Sequence, residues 1–182
     1  GITEFRDAEV TTIGSGLYTT PEKDVAARYA AIRSTDQDLQ ELYEIEINDM
    51  NLLDLTTAEA LYQFTKLWRE KLQDLQEEAR IKQTDNFSDP SNDGLRKTVL
   101  LTSDTIKKID YGLAVGPKIL FVQLGDYARE VIASLGYDGL LAIEGGESGN
   151  GIRIEDHVSY VIFDPRRAQV VNEEPAVIPI AA

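Results

Sequence analysis

Cysteine is absent from this 182-residue chain, and histidine occurs once, as His157. The first absence excludes a disulfide framework, a thiolate metal site and a cysteine nucleophile. The single histidine excludes a multi-histidine metal centre built from this chain alone. Positive charge is scarce: 18 Lys and Arg stand against 32 Asp and Glu, a net charge of −14. Clustered cations bind phosphate backbones and anionic lipid, so neither nucleic acid nor an anionic membrane surface is an expected partner. No apolar run is long enough to span a bilayer. No signal peptide is legible at the start, and nothing in the sequence fixes Gly1 as the natural N-terminus. These absences fit a soluble cytoplasmic protein, and equally a secreted or injected effector that must unfold and refold. What remains is ordinary globular composition, and the length predicts one domain with a real core.

Periodicity along the chain predicts its elements. Residues 13–19 read as a strand. Thr20 and Pro21 follow as helix cap and first helical residue, and Val25, Tyr29 and Ile32 form one apolar face to about residue 33. Residues 42–48 alternate apolar and polar as a half-buried strand does. A long helix spans 57–82, where Leu61, Phe64, Trp68, Leu72, Leu75 and Ala79 recur at steps of three and four. That stripe reads as a core- or partner-facing seam rather than a cofactor box.

A polar, turn-rich loop over 83–94 leads to a short helix over 95–110 with a break inside it. A buried strand is expected over 118–123. Asp126 then caps a helix with Ala128, Val131, Ile132 and Leu135 on its apolar face, stopped by Gly136. A turn and strand cover 137–142, a glycine-rich loop 144–151, a strand 158–163 and a further short strand 168–171. The tail from 172 is loosely held. Short scattered strands with helices crowded into the first two-thirds predict an α+β fold rather than a parallel sheet.

Residues 14–30, GSGLYTTPEKDVAARYA, place two tyrosines eleven residues apart, Tyr18 on the strand and Tyr29 on the helix. A flat cationic ring such as nicotinamide needs an aromatic face on each side, each worth roughly 0.5–2 kcal/mol. It needs backbone groups to read its carboxamide, which a glycine lets approach closely. A carboxylate must also stabilise the ribosyl cation that develops as the ring leaves. Taken singly, each tyrosine reads as a core residue; the spacing and the glycines favour a slot.

Gly14-Ser15-Gly16-Leu17-Tyr18 followed by Ala26-Ala27-Arg28-Tyr29-Ala30 resembles the ADP-ribosyltransferase family, in the branch of diphtheria-like toxins and poly(ADP-ribose) polymerases. His157-Val-Ser159-Tyr-Val-Ile-Phe-Asp164 is similar to a later strand of that branch, and Gly136-Tyr-Asp-Gly139 to a turn of its bacterial and phage-encoded members. The resemblance implies a split β-sandwich of short strands with helices, a single domain over 1–182 carrying a helical insert at about 55–115. It implies NAD as substrate, bound by Gly16, Leu17, Tyr18, Thr19 and Tyr29, with the two phenols sandwiching nicotinamide. Two positions depart from the pattern. The residues before Gly14 are too few for an upstream strand bearing His or Arg, for which Arg6 and Arg33 are the nearest substitutes. The family's catalytic glutamate falls on Ser159, with Glu155 an even offset away and so on the same face of a regular strand.

The expected function is therefore an NAD-dependent mono-ADP-ribosyltransferase acting on a protein or other macromolecular acceptor, with Glu155 and Ser159 as the catalytic candidates and no metal. A catalytically inactive binding domain of the same fold is the alternative, and a structural module that docks a partner on its long helix is a third reading. His157 reads as a satisfied surface or edge histidine, Glu144 and Glu147 as loop charges, and Glu155 and Asp156 as readily a solvated pair as an active acid.

Overall fold

A computed structural model describes residues 16–33, 41–83, 89–115, 124–147 and 153–175. The expected strand over 118–123 and residues 148–151 of the expected glycine-rich loop lie outside these residues. Where one domain was expected, the chain divides into two compact units. Among the described residues, one holds those within 16–56 and 136–175, and the other those within 57–135, beyond the expected insert boundary at 115.

The first unit carries the six strands found among the described residues. β1 (Leu17–Thr19) leads to α1 (Lys23–Arg33), then β2 (Glu41–Ile47) and β3 (Leu52–Asp54). After the helical unit come β4 (Gly139–Glu147), β5 (Arg153–Ile162), a 3-10 turn (Pro165–Arg167) and β6 (Ala168–Pro175). Four strands form a sheet in the order β1-β5-β4-β3, and β2 pairs with β6 in a second sheet. All pairings are antiparallel except β3 with β4. Parallel neighbours need a long crossover, and here the whole helical segment stands between them in sequence. Strands and helices are thus segregated, as an α+β chain requires. α1 packs on β2 and β5, burying Val25 and Ala27.

Several boundaries differ from expectation. α1 begins two residues later than Pro21. Thr20 accepts a bond from the Glu22 amide at 3.2 Å, forming a turn ahead of the helix, and the first helical bond runs from Ala26 N to Glu22 O. β5 starts five residues before 158, and β6 runs on through Pro175, so ladder pairing with β2 orders part of the expected loose tail. β3, only three residues long, has too little sequence pattern to be read.

One polar corner holds the first unit's turns together. The Asp138 carboxylate accepts from the Asn51 amide at 2.9 Å and pairs with Arg167. Arg167 also donates to the Asp49 carbonyl at 2.8 Å, and Asp49 has a left-handed φ of 51°. Asn51 Nδ2 donates to the Gly136 carbonyl at 2.9 Å. Gly136 has φ 87°, a conformation that suits glycine and ends the preceding helix.

The second unit contains α2 (Ala58–Lys82), α3 (Ser91–Val115) and α4 (Gly125–Ser134). α2 matches the helical stripe closely. Thr57 caps it, accepting from the Ala60 amide at 3.2 Å, and Phe64, Trp68, Leu72 and Ala79 are buried. α3 is one continuous helix, not a short broken one. Its buried Thr102 and Thr105 lower helix propensity, but each hydroxyl donates to the carbonyl four residues earlier, at 2.8 and 2.9 Å. α3 lies antiparallel to α2. Arg69 bonds Asp110 at 2.6 Å, while Gln76, further along α2, reaches back to Ser103 at 2.6 Å and Thr102 at 3.2 Å. Packing against α2 thus outweighs the low helix propensity of these threonines. In α4, Leu124 rather than Asp126 is the cap residue, and Asp126 lies in the first turn. Trp68 and Tyr127 pack ring against ring at 5.4 Å, and the Tyr127 hydroxyl donates to the Lys71 carbonyl at 3.3 Å. Among the described residues, no helix is long and apolar enough to cross a membrane.

Two outcomes test this description. Thr57→Ala removes the α2 cap and should lower stability by about 1 kcal/mol in urea denaturation. In Gly139→Ala, the new Cβ would sit on the Val161 carbonyl oxygen. The sheet must shift to accept it, at a cost of about 1–3 kcal/mol in the same measurement.

Candidate functional site

The register of the larger sheet decides which sequence candidates meet. Tyr18 lies opposite Val161 across β1–β5, and directly opposed residues project on the same face. Alternation along β5 puts Ser159 and His157 on that face with Val161. Tyr29 reaches the same row from α1, with its ring edge-on to the His157 ring at a centroid distance of 5.6 Å. The two tyrosines therefore meet one face of β5, Tyr18 at the Val161 end and Tyr29 at the His157 end, with Ser159 between. Leu17 and Thr19, opposite Ile162 and Tyr160, project on the other face, away from the row that was expected to include them.

Gly16 is buried, and a Cβ there would come within 2.9 Å of the Ile162 carbonyl oxygen and 3.1 Å of Val161 Cγ1. Close approach to β5 already demands glycine, with no ligand needed to explain it. Gly14, Ser15 and Arg6 lie outside the described residues, and of Arg33 only its place at the end of α1 is described.

Ser159 and Glu155 are separated, contrary to the even-offset expectation. Between the pairs Glu144–His157 and Gly146–Ile154, β5 advances three residues while β4 advances two. Glu155 and Asp156 together face the single residue Gly145, which is a β-bulge. A Cβ on Gly145 would collide with Asp156, so the narrow strand opposite the bulge also requires glycine. The extra residue breaks the alternation: Ile154, His157, Ser159 and Val161 are buried, while Glu155 and Asp156 are exposed. Glu144 and Glu147 lie in β4 rather than in a loop.

His157 corrects its own reading as a surface histidine. Its residue exposure is 3%, as is that of Ser159. Its Nδ1 lies 2.9 Å from the Glu155 carbonyl oxygen, and its Nε2 lies 3.1 Å from Ser159 Oγ. A carbonyl only accepts, so Nδ1 carries the proton. In the neutral ring Nε2 is then an acceptor, and the Ser159 hydroxyl donates to it. A buried serine–histidine pair with an oriented ring is the arrangement that activates a hydroxyl. The sequence signal for it was the i, i+2 spacing on one strand, which the expectation of an exposed edge obscured.

Among the described residues, no group of three or more His, Asp or Glu side chains is placed to hold a metal ion. No protein-family model, curated protein or solved structure matches the chain.

Gly16→Ala should be a stability variant first. Its melting midpoint is expected to fall by the equivalent of about 1–3 kcal/mol; an unchanged midpoint in thermal denaturation would contradict the close approach to β5.

Proposed function

We propose that the chain is an NAD-dependent mono-ADP-ribosyltransferase whose nicotinamide slot lies between Tyr18 and Tyr29. One observation carries the reading: both phenol-bearing residues meet the same face of β5, on either side of Ser159. Stacking on two aromatic faces suits a planar pyridinium cation. In the reaction, the bond from ribose C1′ to the ring nitrogen breaks, and the ring leaves with the bonding pair as neutral nicotinamide. A heteroatom of a macromolecular acceptor bonds to C1′ and releases its proton to solvent. Glu155 is the carboxylate assigned to the developing cation, acting from the exposed bulge beside the row.

A second reading, NAD binding without transfer, is favoured by one specific observation. Ser159, bonded to His157, stands in the buried row where a carboxylate is needed, and Glu155 lies off that row.

Calorimetric titration with NAD, together with an assay of nicotinamide release, separates the readings. Tyr18→Ala and Tyr29→Ala should each weaken NAD binding by about two- to thirtyfold, while Tyr29→Phe keeps the ring and the affinity. Binding with release, and ADP-ribose adducts found by mass spectrometry in a lysate, supports transfer. Binding without release supports the second reading, and no binding overturns both.

A further inference from the structure

We propose that α3 binds α3 of a second copy of this chain, antiparallel, about a two-fold axis level with Thr105 and Ile106. Leu100 and Tyr111 each leave 70% of their surface to solvent. Asp104 and Lys107, between them, are exposed as well. The four fall at steps of four, three and four, so they form one stripe along α3. The opposite side of the helix carries Thr102, Thr105 and Ile109, all buried. One face of α3 thus serves the chain's own fold, and the other presents two large apolar groups flanking an acid and a base.

Steps of four, three and four read the same in both directions. Laid antiparallel on its own copy, with position 100 beside 111, the stripe sets Leu100 against Tyr111 of the second copy and Asp104 against its Lys107. Each contact then occurs twice, as a two-fold interface requires. A parallel alignment in register would instead set Asp104 on Asp104 and Lys107 on Lys107, like charge on like. Asp104 already pairs with Lys108 of its own helix at 2.8 Å. A carboxylate has two oxygens and about four lone-pair sites, so it accepts a second cation beside the first. The chain's net charge of −14 opposes self-association in general. α3 departs from that balance: Arg96, Lys97, Lys107 and Lys108 outnumber Asp93, Asp104 and Asp110. Charge beyond the helix is screened at about 0.15 M salt, where the Debye length is about 8 Å. A single helix pair is a small interface, so a dissociation constant of about 10 µM to 1 mM is expected.

Sedimentation equilibrium of the unaltered chain across that concentration range should show a reversible monomer–dimer equilibrium. A chain that stays monomeric throughout overturns the proposal. Leu100→Glu and Tyr111→Glu should each weaken the dimer at least about tenfold, because each substitution acts twice in a two-fold interface. Both positions are exposed and Glu is a good helix former, so the urea midpoint should hold, which separates lost pairing from lost folding. A dimer indifferent to both substitutions lies on another surface and overturns the proposal. Asp104→Lys and Lys107→Glu should each weaken self-association by about threefold or more, while an equimolar mixture of the two regains it. A mixture no tighter than either variant alone overturns the charge pairing. The absence of cysteine allows a direct check of register. In the antiparallel alignment, position 100 of one copy lies about 16 Å along the axis from position 100 of the other, beyond the reach of a disulfide. It lies beside position 111. Leu100→Cys mixed with Tyr111→Cys should therefore cross-link under mild oxidation faster than either variant by itself. An equal or faster rate for one variant by itself overturns the alignment.

Discussion

The antiparallel ladder between β4 and β5 fixes the geometry of the strand-rich unit. At its base, Gly139 lies against the backbone of Val161 more closely than any side chain permits. From there the register pairs Leu140 with Val161, Ala142 with Ser159 and Glu144 with His157. A slip of one residue would send His157 and Ser159 to the opposite face. β1 joins the other side of β5 in a matching register, which delivers Tyr18 to the row that Tyr29 meets from α1. The spatial relation between the two tyrosines is thus set less by the turn that joins them than by the strand both of them meet.

The bulge in β5 makes the local chemistry possible. A regular strand would have spaced its buried residues evenly and carried Glu155 into the buried row. The extra residue puts two acidic side chains outside and leaves the Glu155 carbonyl within reach of the His157 ring. Burying an imidazole and a hydroxyl is unfavourable unless their polar atoms are paired. Here the backbone carbonyl, the imidazole and the hydroxyl form one bonded series, so burial and orientation come from the same contacts.

The helical unit solves a comparable problem by other means. It buries Thr65, Thr102 and Thr105 as well as Trp68, Leu72 and Ile109. Each threonine hydroxyl is satisfied within its own helix, by the carbonyl four residues back. Gln76 adds polar contacts between α2 and α3 that depend on the antiparallel alignment of the two helices. The Arg69–Asp110 pair raises the guanidinium pKa by hydrogen bonding, yet both partners are partly exposed, so it adds little stability.

Local chemistry written in the sequence determined α2, because a cap, a stripe of apolar residues and good helix formers all agree over 25 residues. It also determined the Gly136 stop and the core segments of β2 and β5, where backbone preference and alternation point the same way. Tertiary structure alone decided the continuity of α3, whose threonines argue locally against a helix and are overruled by packing on α2. It alone decided the three-residue β3, which exists as a strand through its pairing with β4. It alone decided the bulge, since one added residue changes which side chains share a face and leaves no mark in composition or period. The Tyr18–Ser159–His157–Tyr29 row belongs to that last group: its members were visible as residues, but their common face is a property of register, which is settled only when strands distant in sequence pair.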